Sequence, residues 1–173
     1  MRKTNKVLSL TVAGLMAFST SAVTAFSVSA AEDVTETKIY FEVPTEIWAD
    51  ALVKTDVSAL KVYAHTYAVA GDPDYKETSW QTKGEVCKYV SGNIYSYDID
   101  AKYKRTLKDG ADYVAIFSIV GDKSYQTCNV TMGKSCYGDT IVVTGETYEN
   151  SQDSQKKDYR SVWKSKANAA VYG

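Results

Sequence analysis

The chain has 173 residues, 45% of them hydrophobic, with 20 basic and 21 acidic side chains and a formal charge of −1. That length suits one domain with a substantial core. The near-balanced charge, without a basic cluster, argues against nucleic acid or an anionic membrane as partner.

The first 30 residues read as a secretory signal. Arg2, Lys3 and Lys6 form a positive start, Val7 to Phe18 is mostly apolar and uncharged, and Val28-Ser29-Ala30 supplies small residues before a cleavage point at Ala31. No stop-transfer pattern follows, so the expectation is a secreted or cell-surface protein with no membrane span after signal cleavage. Loss of the three basic signal residues leaves residues 31–173 at a charge of about −4.

Fourteen tyrosines, three tryptophans and only two prolines favour strands over helices in the rest of the chain. The first predicted strand is 38–43. Residues 46–56 follow, with Ile47, Ala51 and Leu52 at rough helical spacing, as a short helix or an inserted loop. Further strands are predicted at 59–67, 94–99, 113–120, 125–132 and 140–144. Strand 113–120 is apolar on both faces and reads as central and covered. Turn chemistry separates the strands at Gly71-Asp72-Pro73-Asp74, Ser91-Gly92-Asn93, Lys108-Asp109-Gly110 and Gly121-Asp122-Lys123. From Asn150 to Lys166, cap-friendly residues precede Tyr159, Val162 and Trp163 at i, i+3 and i+4, which predicts a helix. The expected fold is all-β: an immunoglobulin-like antiparallel β-sandwich over residues 31–145, with a helical C-terminal extension over 146–173.

Three cysteines make no CxxC pair, and with a single histidine they match no structural zinc pattern. Export permits one disulfide, for which Cys128 and Cys136 are the local candidates. Gly133-Lys134-Ser135 resembles the end of a phosphate loop, but Cys128 stands where the leading glycine belongs. GxSxG, HExxH and GxGxxG are all missing. No catalytic set is specified, and no metal or organic cofactor is implied.

The strand Lys61-Val62-Tyr63-Ala64-His65-Thr66-Tyr67 carries the most chemistry. Alternation sends Leu60, Val62 and Ala64 towards a core and places Tyr63, His65 and Tyr67 on the other face. Trp80 follows in a polar setting of Thr78, Ser79, Gln81 and Thr82, and Gln126 lies on a later strand. Aromatic faces suit the C–H side of a pyranose, while an imidazole and an amide suit its hydroxyls.

Ile39-Tyr40-Phe41, Val62-Tyr63-Ala64-His65 with Trp80, the run Gly92 to Ile99, and Val114 to Phe117 leading into Gln126-Thr127 together resemble the starch-binding carbohydrate-binding modules of families 25 and 26. The tail, from Cys136-Tyr137-Gly138-Asp139-Thr140 through Trp163-Lys164, is similar to an extension found in secreted proteins of gut Firmicutes such as ruminococci. The resemblance implies a β-sandwich that binds α-glucan without transforming it, alone or within a larger extracellular complex. It implies Tyr63, His65 and Tyr67 as the sugar-facing strand, Trp80 as the stacking platform, and Gln126 as an added amide. Such a binder predicts Trp80 exposed beside His65. A cell-surface adhesive or protein-interaction module instead predicts Trp163 as the exposed aromatic, and a hydrolase needs two acids facing each other across a cleft.

Overall fold

The structure, a computed structural model, describes residues 36–54, 60–100, 105–120, 124–150 and 153–172. The predicted signal at 1–30 and the predicted turn at 121–123 lie outside the described residues. Strand β1 (Lys38–Glu42) leads into helix α1 (Thr45–Lys54), then β2 (Lys61–Ala70), β3 (Glu85–Val86), β4 (Lys88–Ser91), β5 (Ile94–Asp98), β6 (Asp112–Val120), β7 (Ser124–Thr127), β8 (Val130–Met132), β9 (Thr140–Asn150), β10 (Asp153–Trp163) and helix α2 (Lys166–Tyr172). The fold is all-β with a short C-terminal helix. In α1, Ile47 enters the core and the Trp48 amide bonds the Pro44 carbonyl.

The strands join in the order β3-β2-β6-β7-β10-β9-β1-β5-β4, with β8 also on β6. Four strand spacings separate β1 from β6 along this path, about 19 Å if the sheet were flat. Yet Phe41 of β1 and Phe117 of β6 stack with ring centroids 4.7 Å apart. The sheet is therefore doubled over, with its inner faces meeting in a core of Ile39, Phe41, Val62, Ala64, Tyr113, Ala115, Phe117 and Ile141. Both ends of the strand order belong to one extended segment, Glu85 to Ser91, which pairs with β2 through β3 and with β5 through β4. It changes layer at buried Cys87, whose amide bonds the Val62 carbonyl. A strand that crosses between layers at a bend is how such sandwiches turn a corner.

Three expectations are corrected. The sheet is not purely antiparallel, because β1 pairs with β9, and β7 with β10, in parallel. Residues 153–163, within the predicted helix, form β10, and the helix is confined to Lys166–Tyr172. Tyr159 and Trp163 are four apart, which puts them on one face in a strand as well as in a helix. Pairing with β9, which sets Val162 against Val142 and Trp163 against Ile141, decides in favour of the strand. Lastly, Cys128 and Cys136 are not bridged, and all three cysteines are free thiols.

The predicted strand 125–132 is broken. Its two halves pair with β6 in registers one residue apart, which marks a bulge at Cys128-Asn129. There the Thr127 hydroxyl accepts the Phe117 amide at 2.9 Å, which the interrupted ladder leaves over.

Candidate functional site

Strand β2 supplies the base of the site. Val62, Ala64 and Thr66 are buried inwards, and Tyr63, His65 and Tyr67 share the opposite face. The rest of the site depends on a long connection, residues 71–84, that folds back along β2 and is tied down at successive points. Buried Asp72 accepts from the Tyr113 hydroxyl at 2.9 Å and from Lys108 Nζ. Tyr75 donates to Thr66 Oγ1 at 2.9 Å, and its ring lies 5.0 Å from that of Tyr113. The Lys76 carbonyl accepts from Arg105 Nε. Thr78, 1% exposed, gives its amide to the Thr66 carbonyl and takes the Thr66 amide on its side-chain oxygen at 2.9 Å.

A single 3-10 turn, Trp80–Thr82, comes next and closes with Lys83 in the left-handed region, its amide on the Trp80 carbonyl at 2.9 Å. Gly84, at φ +99°, then passes so close to β2 that a Cβ would stand 2.0 Å from the Ala64 carbonyl oxygen. Only glycine fits this approach.

This return places Trp80 against His65, with ring centroids 4.7 Å apart at 64°. The Tyr67 ring lies 5.5 Å from the imidazole on the same strand face. Asn129, carried by the bulge, donates to the Tyr67 hydroxyl at 3.1 Å. Trp80 is 46% exposed and His65 only 5%. The imidazole Nδ1 is 2.7 Å from Thr78 Oγ1, whereas Nε2 has no partner among the described residues and is not sealed from solvent. Burial holds the imidazole below its ordinary 6.5, opposed by the Glu77 charge and a Thr78 backbone contact. The result is a neutral polar edge framed by two aromatic rings.

The five predicted site residues divide into two groups. His65, Tyr67 and Trp80 form one contact cluster. Tyr63 stands beside it and lines a cleft of about 690 Å³ with Lys76, Ser79, Glu85 and Arg105. Gln126 belongs to the Tyr63 row, reached through Ser118 of β6, rather than to the row of His65 and Ile116. At the cleft floor Arg105, 3% exposed, forks onto Glu85 at 3.2 and 3.3 Å and donates to the Tyr97 hydroxyl at 3.1 Å. Burial raises the Tyr97 phenol well above its ordinary value, so it stays protonated.

Thr78, Gly84, Glu85 and Arg105 escaped the sequence reading. A lone threonine in a polar loop carries no signal of its own, and a buried arginine is invisible until its partners are in place. A second aromatic group was also missed. Trp48 of α1 stacks on Tyr89 of β4 at 6.1 Å, with Tyr95 edge-on to both. Trp163, by contrast, is 3% exposed and donates its indole N–H to the Thr131 carbonyl at 2.8 Å. No protein-family model matches the chain, and no curated protein matches it.

Proposed function

We propose that this protein is a secreted, non-catalytic carbohydrate-binding module that recognises starch or a related α-glucan. The observation that carries the reading is the half-exposed Trp80 ring set against a buried, neutral imidazole whose outer nitrogen has no partner among the described residues. Trp80 and Tyr67 offer apolar surface to the sugar ring, and Nε2 offers a directional contact to one of its oxygens. The clamps on Asp72, Tyr75, Lys76 and Thr78 favour binding, because a platform already held in place loses little entropy when the ligand arrives. Tyr63 and the neighbouring cleft extend the contact along the chain of the polymer, with Gln126 as its outer polar limit.

A second reading, a cell-surface module that binds protein, draws on β4, where Tyr89 is 57% exposed and Val90 lies beside it in a strand exposed along its whole length. The expectation that such a module would expose Trp163 does not fit its burial.

A pull-down of residues 31–173 on insoluble starch and on cellulose separates the two, with Trp80→Ala and Tyr89→Ala alongside. Retention on starch alone, lost in Trp80→Ala and kept in Tyr89→Ala, is the expected result. Failure of the folded wild type to bind either polymer sinks the glucan reading and leaves the β4 surface as the better candidate.

A further inference from the structure

The geometry points to Thr78 as a positioning residue that locks His65 into the Nε2–H tautomer, so that the site presents its ligand with a hydrogen-bond donor. The inference deepens the glucan reading by stating which kind of sugar atom the site takes: an acceptor oxygen seated between two aromatic rings.

Protons and lone pairs around one buried hydroxyl decide the tautomer. Thr78 Oγ1 lies 2.9 Å from the Thr66 amide nitrogen and 2.7 Å from His65 Nδ1. A backbone N–H can only donate, so one lone pair of Oγ1 is committed to Thr66. The hydroxyl has a single proton, and the residue is sealed from water. If that proton points to Nδ1, every group is satisfied: Nδ1 accepts, the hydroxyl donates once and accepts once, and the ring proton sits on Nε2. If Nδ1 carried the proton instead, Oγ1 would accept twice. Its own proton would then need another acceptor, and it has none among the described residues. A buried donor left unmade is strongly disfavoured.

The surroundings favour the neutral ring. Trp80 and Tyr67 cover it with aromatic surface, and its partner across β6 is the apolar Ile116. Glu77 on the returning loop and a Thr78 backbone contact both favour the charged ring, and burial outweighs them. With Nδ1 engaged inwards and Nε2 without a partner among the described residues, the orientation of the ring and the identity of its outer atom are both set by Thr78. A ligand group that only donates, such as an ammonium, meets the wrong partner there.

This is the chain's one histidine, so its two ring nitrogens can be read without assignment ambiguity. The test is a long-range proton–nitrogen correlation spectrum of labelled protein at pH 7.5, without ligand, on wild type, Thr78→Ser and Thr78→Val. The expected result is a protonated Nε2 and a bare Nδ1 in wild type and in Thr78→Ser, with a slowly exchanging residue-78 hydroxyl proton close to the ring. In Thr78→Val the populations should shift towards the mixture of a free imidazole. A proton on Nδ1 in the wild type overturns the inference. So does an unchanged spectrum in folded Thr78→Val. Should Thr78→Val not fold, the wild type and Thr78→Ser still decide. Because no sugar is present, failure of starch binding and failure of this inference are separate outcomes.

Discussion

Gly84→Ala tests how the site is assembled. The added Cβ would lie 2.0 Å from the Ala64 oxygen, 2.4 Å from the Ala64 carbonyl carbon and 2.7 Å from the His65 amide nitrogen, at a φ of +99°. All three are backbone atoms of β2, so no side chain can swing aside. Reaching even a tight 3.0 Å contact requires the loop and β2 to part by about 1 Å. That motion loosens the two amide bonds that cross to β2, from Thr78 to the Thr66 carbonyl at 3.1 Å and from Cys87 to the Val62 carbonyl at 2.8 Å. Each is worth about 1 kcal/mol net, and the left-handed backbone adds about 1 kcal/mol for a residue with a Cβ. The expected loss is thus about 3 kcal/mol by urea unfolding, against about 1 kcal/mol for Gly92→Ala, which has φ +53° but open space around it. Trp80 should also separate from His65, seen as loss of ring-to-ring proton contacts. A Gly84→Ala midpoint equal to that of Gly92→Ala, with those contacts intact, would refute the claim that close backbone approach seats Trp80.

Other perturbations follow from the same packing. Arg105→Met leaves the Glu85 carboxylate without its fork in a mostly buried setting and should cost about 3–5 kcal/mol in thermal or urea unfolding; a double variant with Glu85→Gln should recover part of that loss. Acid should destabilise the fold in two stages. His65, held below 6.5 by burial, disfavours the proton in the folded state, so its contribution is complete above 6.5 and declines as pH falls below that value. Asp72, held below its ordinary 3.8 first by the Lys108 hydrogen bond and also by Tyr113, contributes above 3.8 and is lost as pH falls through its folded value. In a stability-against-pH profile, His65→Gln should remove the upper stage alone. Gly133→Ala places a Cβ 2.2 Å from the Tyr172 hydroxyl, the far end of a flexible side chain, so global stability should drop by no more than about 1 kcal/mol while amide exchange across α2 accelerates.

Much of the architecture was legible in the sequence because half-buried strands alternate and turns need particular residues. The segments at 38–43, 59–67 and 94–99 carry that alternation, 113–120 shows instead the continuous apolar run of a strand covered on both faces, and Gly71, Gly92 and Gly110 take the positive φ their turns require. What was hidden depends on contacts between distant parts of the chain. Glu85 to Ser91 serves two layers in turn, so neither half is long enough to read as a strand. Tyr159 and Trp163 satisfy both helical and strand periods, and only β9 distinguishes them. Within the site, alternation along β2 was enough to place His65 and Tyr67 on one face, and the polar setting of Trp80 signalled its exposure. Their meeting was expected from the family resemblance alone, and the means of it was not legible, because it depends on Thr78, Asp72 and Gly84 anchoring the loop to other parts of the chain.

The proposed function rests on Trp80 and His65 forming a glucan platform. Its most direct measurement is a titration of residues 31–173 with maltoheptaose, following the side-chain resonances of the aromatic residues. Saturable shifts centred on His65, Tyr67 and Trp80, spreading to Tyr63 and leaving Trp48 and Tyr89 unmoved, are the predicted result. Shifts confined to Trp48 and Tyr89, or none at millimolar sugar, would contradict it.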